Sequence, residues 1–245
     1  MLDRHANFAR SWLGALLVLG AAPAFGLNFN PTETEWATWP EYCRVRYTVS
    51  AAGKSSEFSE RVDPSLLPVW QARLGDAWYG LHHHCASLAL AERGRFEKNP
   101  AAREHLLGRA ISESSFTLNR TPRNNPMFAE IATHIGMVHR MLKEGTKAMR
   151  MFDMAISTHP SFAGAYQGKA ILLRDQGRFA EAREVLQAGD KATNGESPEL
   201  KYFLGLVLFD LKDFEGARQN ARSAYDLGYP LPGLRDKLAR AGHPL

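Results

Sequence analysis

The sequence predicts an all-α protein: a solenoid of antiparallel helix hairpins, with a helical extension before it and a capping helix after it. Three observations carry this. The stretches "GRAISESSF", "TKAMRMFDMAISTHP", "AEAREVLQAGDKATN" and "EGARQNARSAYDLGYP" bring Ala110, Ala148, Ala182 and Ala217 into register, at spacings of 38, 34 and 35 residues. Thr117, Ala155, Gly189 and Ala224 follow seven residues on, with Ser114, Phe152, Leu186 and Ala221 between. Small residues at i and i+7 share one helix face and admit a close neighbour, while the residue between fills the gap. Upstream of three of these helices lies an apolar-periodic partner, predicted over Ile131–Leu142, Ala165–Asp175 and Leu200–Leu211. The connecting turns are short and polar ("DQGR", "KD"), and short turns between amphipathic helices make antiparallel hairpins whose outer faces only the next hairpin can cover.

Taken in order, residues 1–26 read as a cleaved secretory signal. Arg4, His5 and Arg10 precede an apolar run from Trp12 to Ala22, and "APAFG" offers small residues for cleavage after Ala24 or Gly26. The run is short for a bilayer span, no later stretch reaches spanning length, and no cysteine sits at the cut for a lipid anchor. Loss of Arg4, Arg10 and Asp3 lowers the formal charge from +4 to +3. So mild a balance, with acids spread throughout and no polybasic block, argues against nucleic acid and against a membrane surface as partners. The expected mature protein is soluble and periplasmic. In that oxidising compartment Cys43 and Cys85, the two cysteines, are expected to form a disulfide.

Residues 27–100 form the expected extension. "WATWPEYCRVRY" is aromatic-rich, and Asp63 followed by Pro64 opens a helix expected from Pro64 or Pro68 to Glu92, the longest in the chain, with a break near Gly75. Residues 101–128 read as a divergent half-repeat, whose partner helix the segment "AERGRFEKNPAA" pushes away. Full units are expected at 129–162, 163–197 and 198–231, and a capping helix at 232–245 with Leu234 and Leu238 turned inward.

This pattern resembles the tetratricopeptide repeat. Tyr166, Ala170, Leu173, Gly177, Phe179, Ala182 and Leu186 match that family's signature positions, as do Leu204, Gly205, Leu208, Phe214, Ala217 and Ala224. The unit before them supplies Ile135, Gly136, Ala148, Phe152, Ala155 and Pro160; the closing proline recurs at Pro122, is lost at Asn194 and is displaced to Pro230. The resemblance implies a right-handed solenoid with a concave groove lined by the first helix of each unit, binding a partner protein or peptide. It places in that groove Glu130, Thr133, Met137, Arg140 and Met141, then Gln167, Ile171, Arg174 and Asp175, then Glu199, Tyr202, Leu206, Phe209 and Asp210. Met137, Met141, Ile171, Tyr202 and Phe209 would form an apolar floor. Arg140 and Arg174 would either hold a partner's carboxylates by their guanidinium forks or pair with nearby acids of the chain itself.

Three other stretches suggest chemistry. In "HHHC", His82 and Cys85 are three residues apart and share a helix face, so with Cys43 they offer ligands for zinc or copper; the competing reading has Cys85 in the disulfide and one or more of the histidines hydrogen-bonded against Trp36, Trp39 or Tyr42. Six of the seven methionines fall between 127 and 154 among His134 and His139, either a copper(I) set or flexible core filler. "AISESSFTLNRTP" resembles the stretch around the catalytic acid of lytic transglycosylases, which would make Glu113 a general acid, but the Gly-Leu-Met-Gln type segment of those enzymes does not follow. There is no Gly-rich phosphate loop, nucleophile elbow or paired-carboxylate motif. The function expected is therefore a non-enzymatic scaffold or adaptor without a cofactor, assembling an envelope, pilus or export complex. Self-association through an exposed end of the array stays open, and a metal-binding protein using His82, Cys85 and the methionines is the alternative.

Overall fold

A computed structural model describes residues 29–245; the expected signal segment, 1–26, lies outside the described residues. The described chain forms twelve α-helices and one short 3-10 turn. The extension holds α1 (Glu33–Thr38), α2 (Glu41–Thr48) and α3 (Leu66–Leu74). Four hairpins follow: α4 (Ala77–Phe96) with α5 (Pro100–Leu118), α6 (Pro126–Met141) with α7 (Gly145–Thr158), α8 (Ala163–Asp175) with α9 (Phe179–Ala192), and α10 (Pro198–Asp210) with α11 (Phe214–Asp226). Helix α12 (Gly233–Arg240) closes the array. No helix among the described residues is long and apolar enough to cross a membrane.

Local chemistry sets the boundaries. Thr32 and Glu35 cap α1 reciprocally, while Asn99, Asn125 and Ser197 each cap a helix whose first residue is proline. Gly75, at φ +53°, breaks the helix expected from Pro64 or Pro68 to Glu92 into α3 and α4, and α4 runs on to Phe96. Three hairpin turns repeat one geometry. Lys143, Gly177 and Lys212 occupy the left-handed region at φ 61°, 73° and 67°, and the next amide donates to a carbonyl five residues back: Glu144 to His139, Arg178 to Leu173 and Asp213 to Leu208. The same bend thus recurs at the same register, with glycine in only one of the three units.

The in-register small residues lie where the helices touch. Ala110, Ser114 and Thr117 on α5, and Ala148, Ala182, Ala217 and their seven-on partners Ala155 and Ala224, are fully buried. Phe152 is the large residue of its unit and is also fully buried. Its ring fits because Gly136 on α6 and Gly168 on α8 have no side chain: a Cβ on either would stand 2.7 or 2.5 Å from the ring. Leu234 and Leu238 of α12 are fully buried against the last hairpin.

The first unit differs from expectation. The segment "AERGRFEKNPAA" does not push the partner helix away. It lengthens both helices of one hairpin, to 20 and 19 residues against 13 to 16 in the later units, so α4 packs along all of α5. Gly80, His84, Ser87 and Gly94 make that seam. Thr117 Oγ1 donates to the Gly80 carbonyl at 2.7 Å, Ser87 Oγ to the Ala110 carbonyl at 2.6 Å, and Gly94 lies against Leu107. A boundary at residue 100 therefore cuts a hairpin: α5 is the second helix of a complete unit, and residues 126–128 already belong to the first helix of the next.

Candidate functional site

The first helices of the four units, α4, α6, α8 and α10, stand side by side, and their shared face is where the resemblance places the groove. Cys43 of α2 is bonded to Cys85 of α4, with Cα atoms 5.5 Å apart. Arg46 of α2 reaches the Trp78 carbonyl at 3.3 Å and His82 Nδ1 at 3.2 Å. Tyr42 crosses to α6, where its hydroxyl donates to Glu130 Oε1. Burial pushes the Glu130 carboxyl up, the Tyr42 hydrogen bond partly opposing it, and pushes the Tyr42 phenol up as well. The extension is thus seated on α4 and the start of α6, held by Trp36, Trp39, Tyr47 and Phe58, whose rings pack within 4.6 to 6.4 Å of one another.

Beyond Glu130 the face changes character. Thr133, Met137, Gln167, Ile171 and Leu206 are partly exposed, and Met137, Ile171 and Leu206 hold equivalent positions on successive first helices. Three residues beyond Met137 and Ile171 runs a ladder of ion pairs. Arg140 Nε donates to Asp175 at 2.6 Å and Arg174 Nε to Asp210 at 2.5 Å; Lys237 of α12 takes the other Asp210 oxygen at 2.8 Å. Desolvation raises the Asp210 carboxyl, but its bonds to Arg174 and Lys237 win and hold it below the usual range. Lys237 also lies 4.3 Å over the Phe209 ring, and Arg103 of α5 donates to the Met141 carbonyl at 2.9 Å.

Several sequence expectations for this face change. Glu130 is not open to a partner, because Tyr42 occupies it. Tyr202 is not floor: it is 7 % exposed and stacked on Tyr229 at 4.1 Å. Arg140 and Arg174 already hold carboxylates of the chain itself. Glu199 and Asp175 remain exposed at the edges. What sequence reasoning missed is the cover, although a cysteine in each of "EYCRVRY" and "HHHCAS" was a signal that these segments meet.

None of the histidines bonds to Trp36, Trp39 or Tyr42: His82 meets Arg46 of α2, while His83 and His84 turn to α5. His83 Nδ1 donates to Glu113 Oε2 at 2.6 Å, with the Phe116 ring 4.0 Å from its own. Glu113 is mostly covered and also lies 3.7 Å from Arg109. His84 is fully buried, its Nδ1 3.0 Å from Ser114 Oγ and its Nε2 without a partner. His134 of α6 meets it edge-on at 5.3 Å and places Nε2 2.8 Å from Ser87 Oγ. Burial pushes His84 well below its ordinary range, and pushes His134 and His82 down to about 4.

The metal alternative loses its ligands here. The Cys85 sulfur is bonded to Cys43, and no three His, Cys, Asp or Glu side chains converge among the described residues. The methionines mostly serve packing: Met127 and Met151 are buried, Met154 packs on the same core, and Met149 and one side of the partly exposed Met137 lie against the cluster around Phe152.

Residues 168–228 match the family model described as tetratricopeptide repeat. No curated protein matches the chain. Among solved structures, residues 41 to the end of MamA from Desulfovibrio magneticus RS-1 are similar at 19% identity, covering 63% of this chain and 86% of that one, with a TM-score of 0.44. A thermophilic TPR protein of Thermus thermophilus is similar at 16% identity, covering 70% and 97%, again with a TM-score of 0.44. Residues 168–228 thus carry tetratricopeptide repeats, and the helices on both sides of that stretch keep the same register in an all-helical array.

Proposed function

We propose that the chain is an exported scaffold or adaptor that captures a partner protein or peptide on the face of α6, α8 and α10, in the assembly of an envelope, pilus or export complex. The observation that carries this is the repeated, partly exposed row Met137, Ile171 and Leu206, bordered by ion pairs that recur with the same register. A face that only closed a core would bury those positions; this one keeps them available over three helices. The export part of the reading rests on the signal-like start of the sequence and on a disulfide in the fold, a bond favoured by oxidising compartments.

The capture experiment compares wild-type protein with Ile171→Asp and Leu206→Asp, two changes on partly exposed positions, using tagged protein expressed in the cells that produce it. The expected result is loss of the same co-purifying species from both variants with helical content unchanged. An unchanged set of species from both variants would sink the assignment. Export is read from the intact mass: the mature protein should lack residues 1–24 or 1–26, and a full-length mass in the soluble cytoplasmic fraction would contradict it.

A further inference from the structure

We infer that the partner segment is a near-neutral amphipathic helix carrying aliphatic or aromatic side chains on one face, rather than an acidic peptide, and that it lies alongside α2. The inference rests on the groove reading above and adds the chemistry of the occupant.

Two independent observations lead to it. The first is the charge on the face. Arg140, Arg174 and Lys237 are neutralised by Asp175 and Asp210, Glu199 stands exposed at the far edge, and Arg103 and Lys143 flank Arg140 at the other, so along the row itself the charges are already paired. Both arginines and the lysine are engaged at hydrogen-bonding distance, Arg174 and Lys237 on the two oxygens of one aspartate. An acidic partner would meet guanidinium groups whose charge Asp175 and Asp210 already offset, and would bring its own carboxylates beside theirs, gaining little. Beside this ladder Met137, Ile171 and Leu206 form an apolar row with no charge of its own.

The second observation is what already occupies the adjoining part of the same face. Helix α2 packs on α4, bonded there through Cys43, and reaches α6 with the buried ring of Tyr42, while Tyr47 turns into the extension's own aromatic cluster; its one basic contact, Arg46, goes to a carbonyl and a neutral histidine nitrogen. The face thus accepts a helix by its aromatic and aliphatic side. The seat of α2 ends at Glu130, and the row Met137–Ile171–Leu206 continues from there. Helix-in-groove recognition needs anchors on one side of the guest helix, and the row supplies their counterpart.

The test uses two labelled probes of about five helical turns each and fluorescence anisotropy on the full mature chain. One probe is a helix with Leu and Phe on one side and Ser and Gln on the other; the second keeps the same length but carries Asp and Glu throughout. The neutral helix is expected to bind, with little change between low and high salt, and to lose at least about tenfold in affinity with Ile171→Asn or Leu206→Asn, the size expected for removing one anchor. Arg140→Ala with Arg174→Ala should leave that binding within about threefold, as for exposed pairs. Preference for the acidic probe, falling with salt and with the double arginine change, would overturn the inference while leaving the groove as the binding face. Binding of either probe that ignores Ile171 and Leu206 would overturn both. No binding of either probe would overturn the inference, and the capture experiment then judges the groove reading separately. The asparagine variants are read beside their melting curves, and Gln167→Trp, which fills the same face at a partly exposed site, should also block the neutral helix.

Discussion

At the scale of single residues, the unusual feature is a pair of histidines held neutral where α4 of the first hairpin meets α6. His84 has no charged partner and one nitrogen without any, and His134 faces it at 5.3 Å. Both titrate below their unfolded value near 6.5, so the unfolded chain binds protons that the folded chain refuses. Stability is therefore complete above pH 6.5 and falls as the pH drops toward 4, the value to which burial lowers His134. A shift of that size corresponds to roughly 3 kcal/mol for His134. Denaturant titrations across the range from neutral pH down to the lowered His134 value should show this decline, and His134→Gln, which keeps a donor for Ser87, should make it shallower, with His84 and His82 supplying the remainder. A curve for the variant as steep as that of the wild type would contradict the assignment. Sequence showed that "HHHC" lies on a helix and that His82 and Cys85 share a side. It did not show what His84 touches, because Ser114 and His134 come from helices 30 and 50 residues away.

At the scale of elements, the repeat was legible because its spacing is carried by small residues, which are constrained by contact rather than by composition. Ala148, Ala182 and Ala217 are each fully buried at a helix crossing. Phe152 shows how tight this is. Gly136→Ala and Gly168→Ala should each destabilise the protein by about 1–3 kcal/mol in equilibrium unfolding, since each new methyl must push the ring. A cost near zero would mean that the ring has room to move. The hairpin turns point the other way. Lys143 and Lys212 sit where Gly177 sits in the third unit, in a left-handed conformation that costs a side-chain-bearing residue about 1 kcal/mol. Lys143→Gly and Lys212→Gly should each raise stability by roughly 0.5–1 kcal/mol, read as a higher denaturation midpoint with unchanged slope. The first unit was misread in sequence because its hairpin is longer than the repeat template; with α4 and α5 both extended, a search at a fixed spacing finds α5 and misses its partner.

For the whole molecule, the extension decides how much of the array is open. Helices α1 and α2 cover the inner face of α4 and the first groove position of α6, and the Cys43–Cys85 bond ties them there across 42 residues. Removing the bond by Cys43→Ser with Cys85→Ser should cost roughly 3–4 kcal/mol by loop entropy, yet leave the native far-ultraviolet circular dichroism at about 25 °C, because the aromatic cluster around Trp36 remains. Intact mass after thiol blocking checks the bond itself: two thiols should react only after reduction. The groove assignments carried over from the repeat family were legible as positions, but which of them are free was not. That depends on Tyr42 reaching Glu130, on Asp175 and Asp210 reaching the arginines of the preceding unit, and on Tyr229 covering Tyr202, all contacts between residues far apart in the chain.

The most direct test of the central claim, that the chain captures a partner on the face of α6, α8 and α10, is site-specific photo-crosslinking in the cells that produce it. A photoreactive residue is placed at Ile171, at Leu206, or at Gln187 on the exposed side of α9. Capture on this face predicts one and the same cross-linked species from positions 171 and 206 and none from 187. Cross-links from 187 alone, or equally from all three positions, would contradict it.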